Sequence, residues 1–156
     1  MNKITYEGTR LNKPIAGIQL DFSALAKGYG VDEVGRYLEG KGINNYMVEI
    51  GGEARAKGKN DKGEYWNMGV NTPDERAKMT DLVAAIRLID ESIATSGNYR
   101  NFYEVEGIKY SHTINPRTGF PERNTLLSAT IIAENCMLAD ALATTCMVLG
   151  LEEAKN

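Results

Sequence analysis

The feature that most restricts the fold of this chain is a pair of short polar segments held apart by an alternating apolar run. Thr95-Ser96-Gly97 precedes the run, and His112 to Gly119 (H-T-I-N-P-R-T-G) follows it. Between them Phe102, Val105, Ile108 and Tyr110 alternate around Glu106-Gly107, the pattern of a β-hairpin with a two-residue turn. A hairpin brings the two polar segments together around a small concave site. His112 is the only histidine in the chain, and Arg117 sits in a loop shaped by Pro116 and Gly119. Hydroxyls, an imidazole, a guanidinium and free amides suit a phosphate ester better than an apolar ligand.

Around this centre the chain reads as α+β. Residues 1–13 are polar, with a turn at Tyr6-Glu7-Gly8, and read as a frayed start. Ile15, Ile18 and Leu20 predict a short strand running into Asp21. The segment D-F-S-A-L-A-K-G-Y-G-V-D leads into a helix carrying Val34, Tyr37 and Leu38, with Ser23 as a candidate N-cap and Gly40 as the closing glycine. Gly28 and Gly30 fall early in that helix, where glycine is costly. A loop that stays open through Ala24 eases the conflict and frees backbone carbonyls there. Residues 45–50 alternate as a strand, Gly51-Gly52 ends it, and Glu53 to Lys59 returns as a hairpin. Asn60 to Gly63 is a turn and Trp66 to Val70 a strand. Residues 80–91 fit helix or strand by period, and their β-branched content favours strand. Leu126 to Ala133 is a strand, and Asn135 caps a last helix over 136–149, closed by Gly150. Several hairpins with two helices describe a mainly antiparallel sheet with helices packed on it, in a single domain spanning 1–156.

A chain of 156 residues, 42% hydrophobic and 25% charged, is long enough for a real core. The net charge of −3 and the absence of a basic run speak against nucleic acid as a partner. Cys136 and Cys146 lie ten apart in one helical stretch without a CxxC, which reads as two buried small hydrophobes rather than a disulfide or metal site. No stretch reads as a signal peptide or bilayer span. The chain stops at Glu153-Ala154-Lys155-Asn156 within a helical pattern, so it reads as a piece of a longer protein.

The candidate chemistry gathers in a few places. Asp140 and Thr144, four apart on the last helix, share a face. They read either as the polar edge of a helix or as a hard oxygen pair for Mg²⁺, which takes one or two carboxylates and completes its shell with water and substrate phosphate. The small apolar surroundings A-D-A-L-A-T-T bury that face, and a buried Asp without a partner is costly. His112 can act as a base near neutrality, since the reference imidazole pKa is about 6.5. Lys27, beside two glycines at a helix start, reads either as a solvent-facing residue or as a phosphate contact. The residues alone describe a Mg²⁺-dependent site for a phosphate ester.

Five blocks in order make the pattern more specific: D-F-S-A-L-A-K-G-Y-G-V-D, E-I-G-G-E, I-A-T-S-G-N-Y-R, Y-S-H-T-I-N-P-R-T-G and A-D-A-L-A-T-T. Together they resemble the FAD:protein FMN transferase (ApbE) family, in its C-terminal portion. The resemblance implies an enzyme that uses FAD and Mg²⁺ to transfer FMN to a Thr or Ser hydroxyl of a target protein, releasing AMP. Its alternatives are an FAD pyrophosphatase yielding FMN and AMP, and a flavin-binding domain without turnover. Carried over by motif, Asp140, Thr144 and the backbone carbonyl of Ala24 match the metal ligands. Asp21, Lys27 and Ile114 match FAD contacts; Arg117, in the block of Ile114, and Ser96, in I-A-T-S-G-N-Y-R, are further candidates for binding the cofactor. His112 matches the histidine that activates the acceptor hydroxyl. The family's setting implies a lipoprotein anchored at the extracytoplasmic cell envelope, acting on a subunit of a membrane redox complex. Two departures stand out. Asn115 and Glu53 occupy positions where Asp is common, and neither is expected to carry a side-chain role. The family's N-terminal part, which lines the flavin pocket, has no counterpart in this chain, so weak FAD binding or no turnover by this stretch alone is expected.

Overall fold

A computed structural model describes residues 4–74, 76–78, 80–98, 102–105, 108–111, 113–121 and 125–155, with the backbone alone for 102–105 and 108–111. Among the described residues the chain order is β1 (Thr5–Glu7), β2 (Arg10–Asn12), α1 (Ala26–Gly40), β3 (Tyr46–Ile50), β4 (Glu53–Lys57), β5 (Trp66–Asn71), β6 (Leu82–Leu88), β7 (Ser92–Gly97), β8 (Phe102–Val105), β9 (Ile108–Ser111), β10 (Ser128–Ala133) and α2 (Cys136–Ala154). A four-stranded sheet in the order β10-β7-β4-β3, antiparallel throughout, forms the centre. Both helices pack on it and on each other, α1 over β3 and β4, α2 over β7 and β10. The α+β expectation is met.

The alternation of β4, E-A-R-A-K, decides how the layers meet. Ala54 and Ala56 face away from the helices and join Ile93, Val70 and Leu88 in the apolar core, with Trp66, Met68 and Ile86 of the β5–β6 ribbon packed against it. Glu53, Arg55 and Lys57 point the other way and meet α1 through charge. Arg55 bonds Asp32 at 3.3 Å and Glu39 at 3.0 Å, and Lys57 reaches Glu39 at 3.3 Å. One strand thus serves two environments through its period of two.

The two helices cap one another. Asp32 of α1, 2% exposed, accepts the N–H groups of Cys136 and Met137 at 3.0 and 2.9 Å. Asn135 accepts Leu138 N–H at 2.9 Å, as expected from the sequence. In return Asp140 of α2 accepts the N–H of Gly28 at 3.0 Å. These carboxylates satisfy first-turn donors and sit at the positive ends of the helix dipoles. The crossing is close enough that a Cβ on Gly28 would lie 2.3 Å from the Cys136 carbonyl oxygen. The early glycine therefore exchanges helix propensity for contact with α2.

Several expectations about local structure are corrected. Residues 5–12 form a hairpin turning at Gly8-Thr9. No strand forms between Ile15 and Asp21, where turns use the groups a strand would pair: Ile18 N–H donates to the Ile15 carbonyl and Lys13 Nζ to the Ile18 carbonyl. Ser23 is not the N-cap; Leu25 is, without a side-chain bond, while Ser23 donates its hydroxyl and N–H to Asp21. The residue closing α1 is Gly42 (φ 79°), not Gly40. Ile43 N–H reaches the Leu38 carbonyl and Gly42 N–H the Glu39 carbonyl, a Schellman pair. Gly150, at φ 75°, interrupts α2 as expected, although helical turns continue to Ala154. Both cysteines are free, and burial pushes the Cys136 thiol up to about 12, leaving it inert. Strands β8 and β9 pair with Val105 opposite Ile108. The expected turn at Glu106-Gly107 lies outside the described residues.

Candidate active site

A groove of about 1220 Å³ opens where the start of α1, the end of β7, the middle of α2 and the loop after β9 meet. It is lined by Asp21, Ala24, Lys27, Ser96, Ile114, Arg117, Asp140 and Thr144. These are all the site residues expected from the sequence except His112, which lies outside the described residues; Thr113, next in the chain, lines the groove. Thr95 and Gly97 of the first polar segment line it together with Asn115 and Pro116 of the second. The two segments therefore meet as the hairpin pattern suggested.

Each functional group is set by a specific local device. At the start of α1, Gly28 N–H is diverted to Asp140. In an uninterrupted helix it would bond to the Ala24 carbonyl. That carbonyl accepts no hydrogen bond from a described residue and lies at the groove. Asp140 is 3% exposed and spends Oδ2 on Gly28; no described group bonds its Oδ1. One turn along, Thr144 Oγ1 lies 3.0 Å from Ser96 Oγ, which joins α2 to β7 at the groove floor. Asp21 accepts two bonds from Ser23, which hold its carboxyl below the usual range.

Glu53 is the residue that sequence reasoning missed. It was expected to carry no side-chain role, yet it is 2% exposed and pairs with Lys27 Nζ at 2.6 Å at the groove wall. Burial pushes its carboxyl above the ordinary range; Lys27 pulls it down, and the charge of Asp140 adds to the rise. The available signal was the E-A-R-A-K alternation, which places Glu53 on the same face as Arg55. Gly51 and Gly52 serve the β3–β4 turn, at φ 61° and 102°. Asn115 has a structural role: its Oδ1 accepts Arg117 N–H at 2.7 Å, a bond that Asp could make equally. With the Asn115–Phe120 and Gly119–Asn115 backbone bonds, it shapes the loop carrying Arg117.

Among the described residues no group of three or more His, Cys, Asp and Glu converges. A cation here would depend on a mixed set: the Asp140 carboxylate, the Thr144 hydroxyl and the uncommitted Ala24 carbonyl. That all-oxygen set with a single carboxylate fits Mg²⁺, which leaves part of its shell to water and phosphate.

The model of the ApbE family matches residues 1–156. The FAD:protein FMN transferase of Vibrio cholerae serotype O1 is 46% identical over 149 residues, covering 96% of this chain and 44% of the relative. That of Escherichia coli K12 is 38% identical over 146 residues, covering 94% and 41%. The solved flavin transferase ApbE from Vibrio cholerae superposes with a TM-score of 0.85 at 44% identity, covering 97% of this chain and 47% of that one. An ApbE protein from Thermotoga maritima gives 0.82 at 33% identity, covering 98% and 49%. The chain spans about half the length of the relatives it matches. Similarity along its whole length, at these identities and with a shared fold, makes this chain a member of the ApbE family.

Proposed function

We propose that this chain carries the Mg²⁺ and acceptor side of an FAD:protein FMN transferase site, moving FMN from FAD to a Thr or Ser hydroxyl of a target protein. The observation that carries the reading is the convergence of Asp140, Thr144, Ala24, Lys27 and Arg117 on one groove. In the reaction the acceptor hydroxyl oxygen attacks the phosphorus on the FMN side of the FAD diphosphate. The bond to the AMP oxygen breaks, AMP leaves, and His112 takes the hydroxyl proton. Asp140, Thr144 and the Ala24 carbonyl would hold Mg²⁺, which offsets charge on the diphosphate when bound. Lys27 and Arg117 supply positive charge for the phosphates, while Asp21, Ser96 and Ile114 line the dinucleotide's path. The acceptor we propose is a subunit of a membrane redox complex, met at the cell envelope by a lipoprotein. The chain would act as one ApbE-like domain within a longer polypeptide.

Incubating the protein with FAD, Mg²⁺ and a candidate acceptor should yield a flavin-fluorescent acceptor band and AMP, and EDTA should abolish both. Fluorescent product that persists in EDTA would remove the metal from the mechanism. Free FMN formed without acceptor would assign water the acceptor's place.

A further inference from the structure

Glu53 occupies an unusual position for a structural ion pair. It follows the Gly51-Gly52 turn at the start of β4, with its side chain 2% exposed. Oε1 meets Lys27 Nζ at 2.6 Å, while Oε2 is buried with no hydrogen-bond partner from another described residue. A half-satisfied buried carboxylate contributes less to stability than an apolar residue of the same volume. The pair therefore has a poor structural rationale, and its geometry suggests another. The Lys27 side chain is 49% exposed, so its ammonium is tied at one donor and open towards the groove. The stem passes Gly51 closely enough that a Cβ there would lie 3.6 Å from Lys27 Cδ. Arg117, the other cation lining the groove, has no carboxylate partner among the described residues. Among the described residues, one cation is thus anchored by a carboxylate and the other is not.

We propose that Glu53 is a positioning residue that fixes the Lys27 ammonium as a counter-charge for a diphosphate-bearing ligand in the groove. The ligand class rests on the dinucleotide reading given above. A fixed ammonium rewards a ligand whose phosphates match its position, whereas an untethered one attracts any anion alike. Removing the Glu53 charge therefore lowers discrimination while raising the local positive charge.

Glu53→Gln keeps the shape and removes the charge. In ligand-free protein the Lys27 ammonium should give a protected ¹H–¹⁵N signal that is lost in E53Q; an equally protected signal in the variant overturns the proposal. Titration with ADP and AMP should show the preference for ADP falling about tenfold in E53Q, the worth of one charge-assisted hydrogen bond. An unchanged preference overturns the role in selectivity. In Lys27→Gln the further change E53Q should have no additional effect on ADP affinity, and additive losses would show that Glu53 does not act through Lys27. Lys27→Gln, at an exposed side chain, is the second variant: unchanged ADP affinity overturns the proposal whether or not E53Q folds. Wild-type protein that binds neither ADP nor FAD, with the ammonium signal behaving as expected, would overturn the dinucleotide reading and leave the positioning intact.

Discussion

The two sides of the groove are built on opposite principles. The helix side holds its groups through buried polar contacts that depend on one another: Asp140 caps α1, Asp32 caps α2, Glu53 holds Lys27, and Ser96 meets Thr144. The loop side, from Thr113 to Phe120, is shaped mainly by local bonds of Asn115 and Thr118 and tied just past the end of β7 by the Thr113 hydroxyl, which donates to Asn98 Oδ1 at 3.3 Å, with Ile114, Arg117 and Phe120 exposed. The difference teaches that, on the proposed reading, Mg²⁺ and a phosphate would be met by a wall of interlocked contacts, whereas the Arg117 guanidinium would be offered from a locally folded loop. On that wall a functional group cannot be separated from a structural one, because the Asp140 carboxylate that points at the groove also ends a helix.

The comparison breaks first at Asp32. Asp32→Ala orphans two α2 amides and one partner of Arg55, and should cost about 3 kcal/mol in urea unfolding. A loss no larger than that of a surface change would mean that the reciprocal caps do not bind the helices together. Next, wild-type protein with ADP and Mg²⁺ at a hundredfold excess over the dissociation constant should gain about 2.7 kcal/mol in a thermal melt relative to ADP alone. Asp140→Asn should lose that gain while keeping an acceptor for Gly28; equal Mg²⁺ stabilisation in the variant would exclude Asp140 as a ligand. Gly28→Ala, a favourable change in an isolated helix, should here cost about 1–3 kcal/mol, because the new Cβ meets the Cys136 carbonyl. A stabilised variant would show that the helices can move apart freely.

A pH scan sharpens the same wall. Burial raises the Glu53 carboxyl above its ordinary 4.5, so the folded state binds that proton more tightly than the unfolded chain. The resulting contribution to stability is present below pH 4.5 and is lost as pH rises through the raised value. Replacing Glu53 by Gln should flatten that decline, and an identical pH profile would mean that Lys27 fully compensates the buried charge. The smallest effect on stability belongs to the loop. Arg117→Ala should change unfolding free energy by less than about 0.5 kcal/mol. It should still weaken ADP binding in a salt-dependent way, and a large loss of stability would show that the loop is part of the core.

Much of this was legible in advance because it depends on local chemistry. The hairpin pattern brought two polar segments together, the i,i+4 spacing put Asp140 and Thr144 on one face, and Asn135 announced the start of α2. The errors have separate physical causes. Ser23 was a good candidate cap by residue type, but its hydroxyl and N–H go to Asp21, and the Leu25 and Ala26 amides it would cap go to the Phe22 carbonyl. Gly40 and Gly42 are equally permissive, and only the helix length selected Gly42. Ile15 to Leu20 has strand-like residues, but among the described residues no strand pairs with it. The neighbours of Glu53 in sequence, two glycines and an alanine, give no hint of Lys27 twenty-six positions earlier.

By itself the sequence determined the kinds of groups present, their order and their local geometry: an α+β chain with one imidazole, an oxygen pair on a helix and a hairpin bearing polar ends. Tertiary structure decided which of those groups are shared. Whether the Ala24 carbonyl is available, whether Lys27 is anchored, and which carboxylate caps which helix all depend on contacts between segments distant along the chain. The strength of such contacts comes from burial, which sequence spacing does not specify.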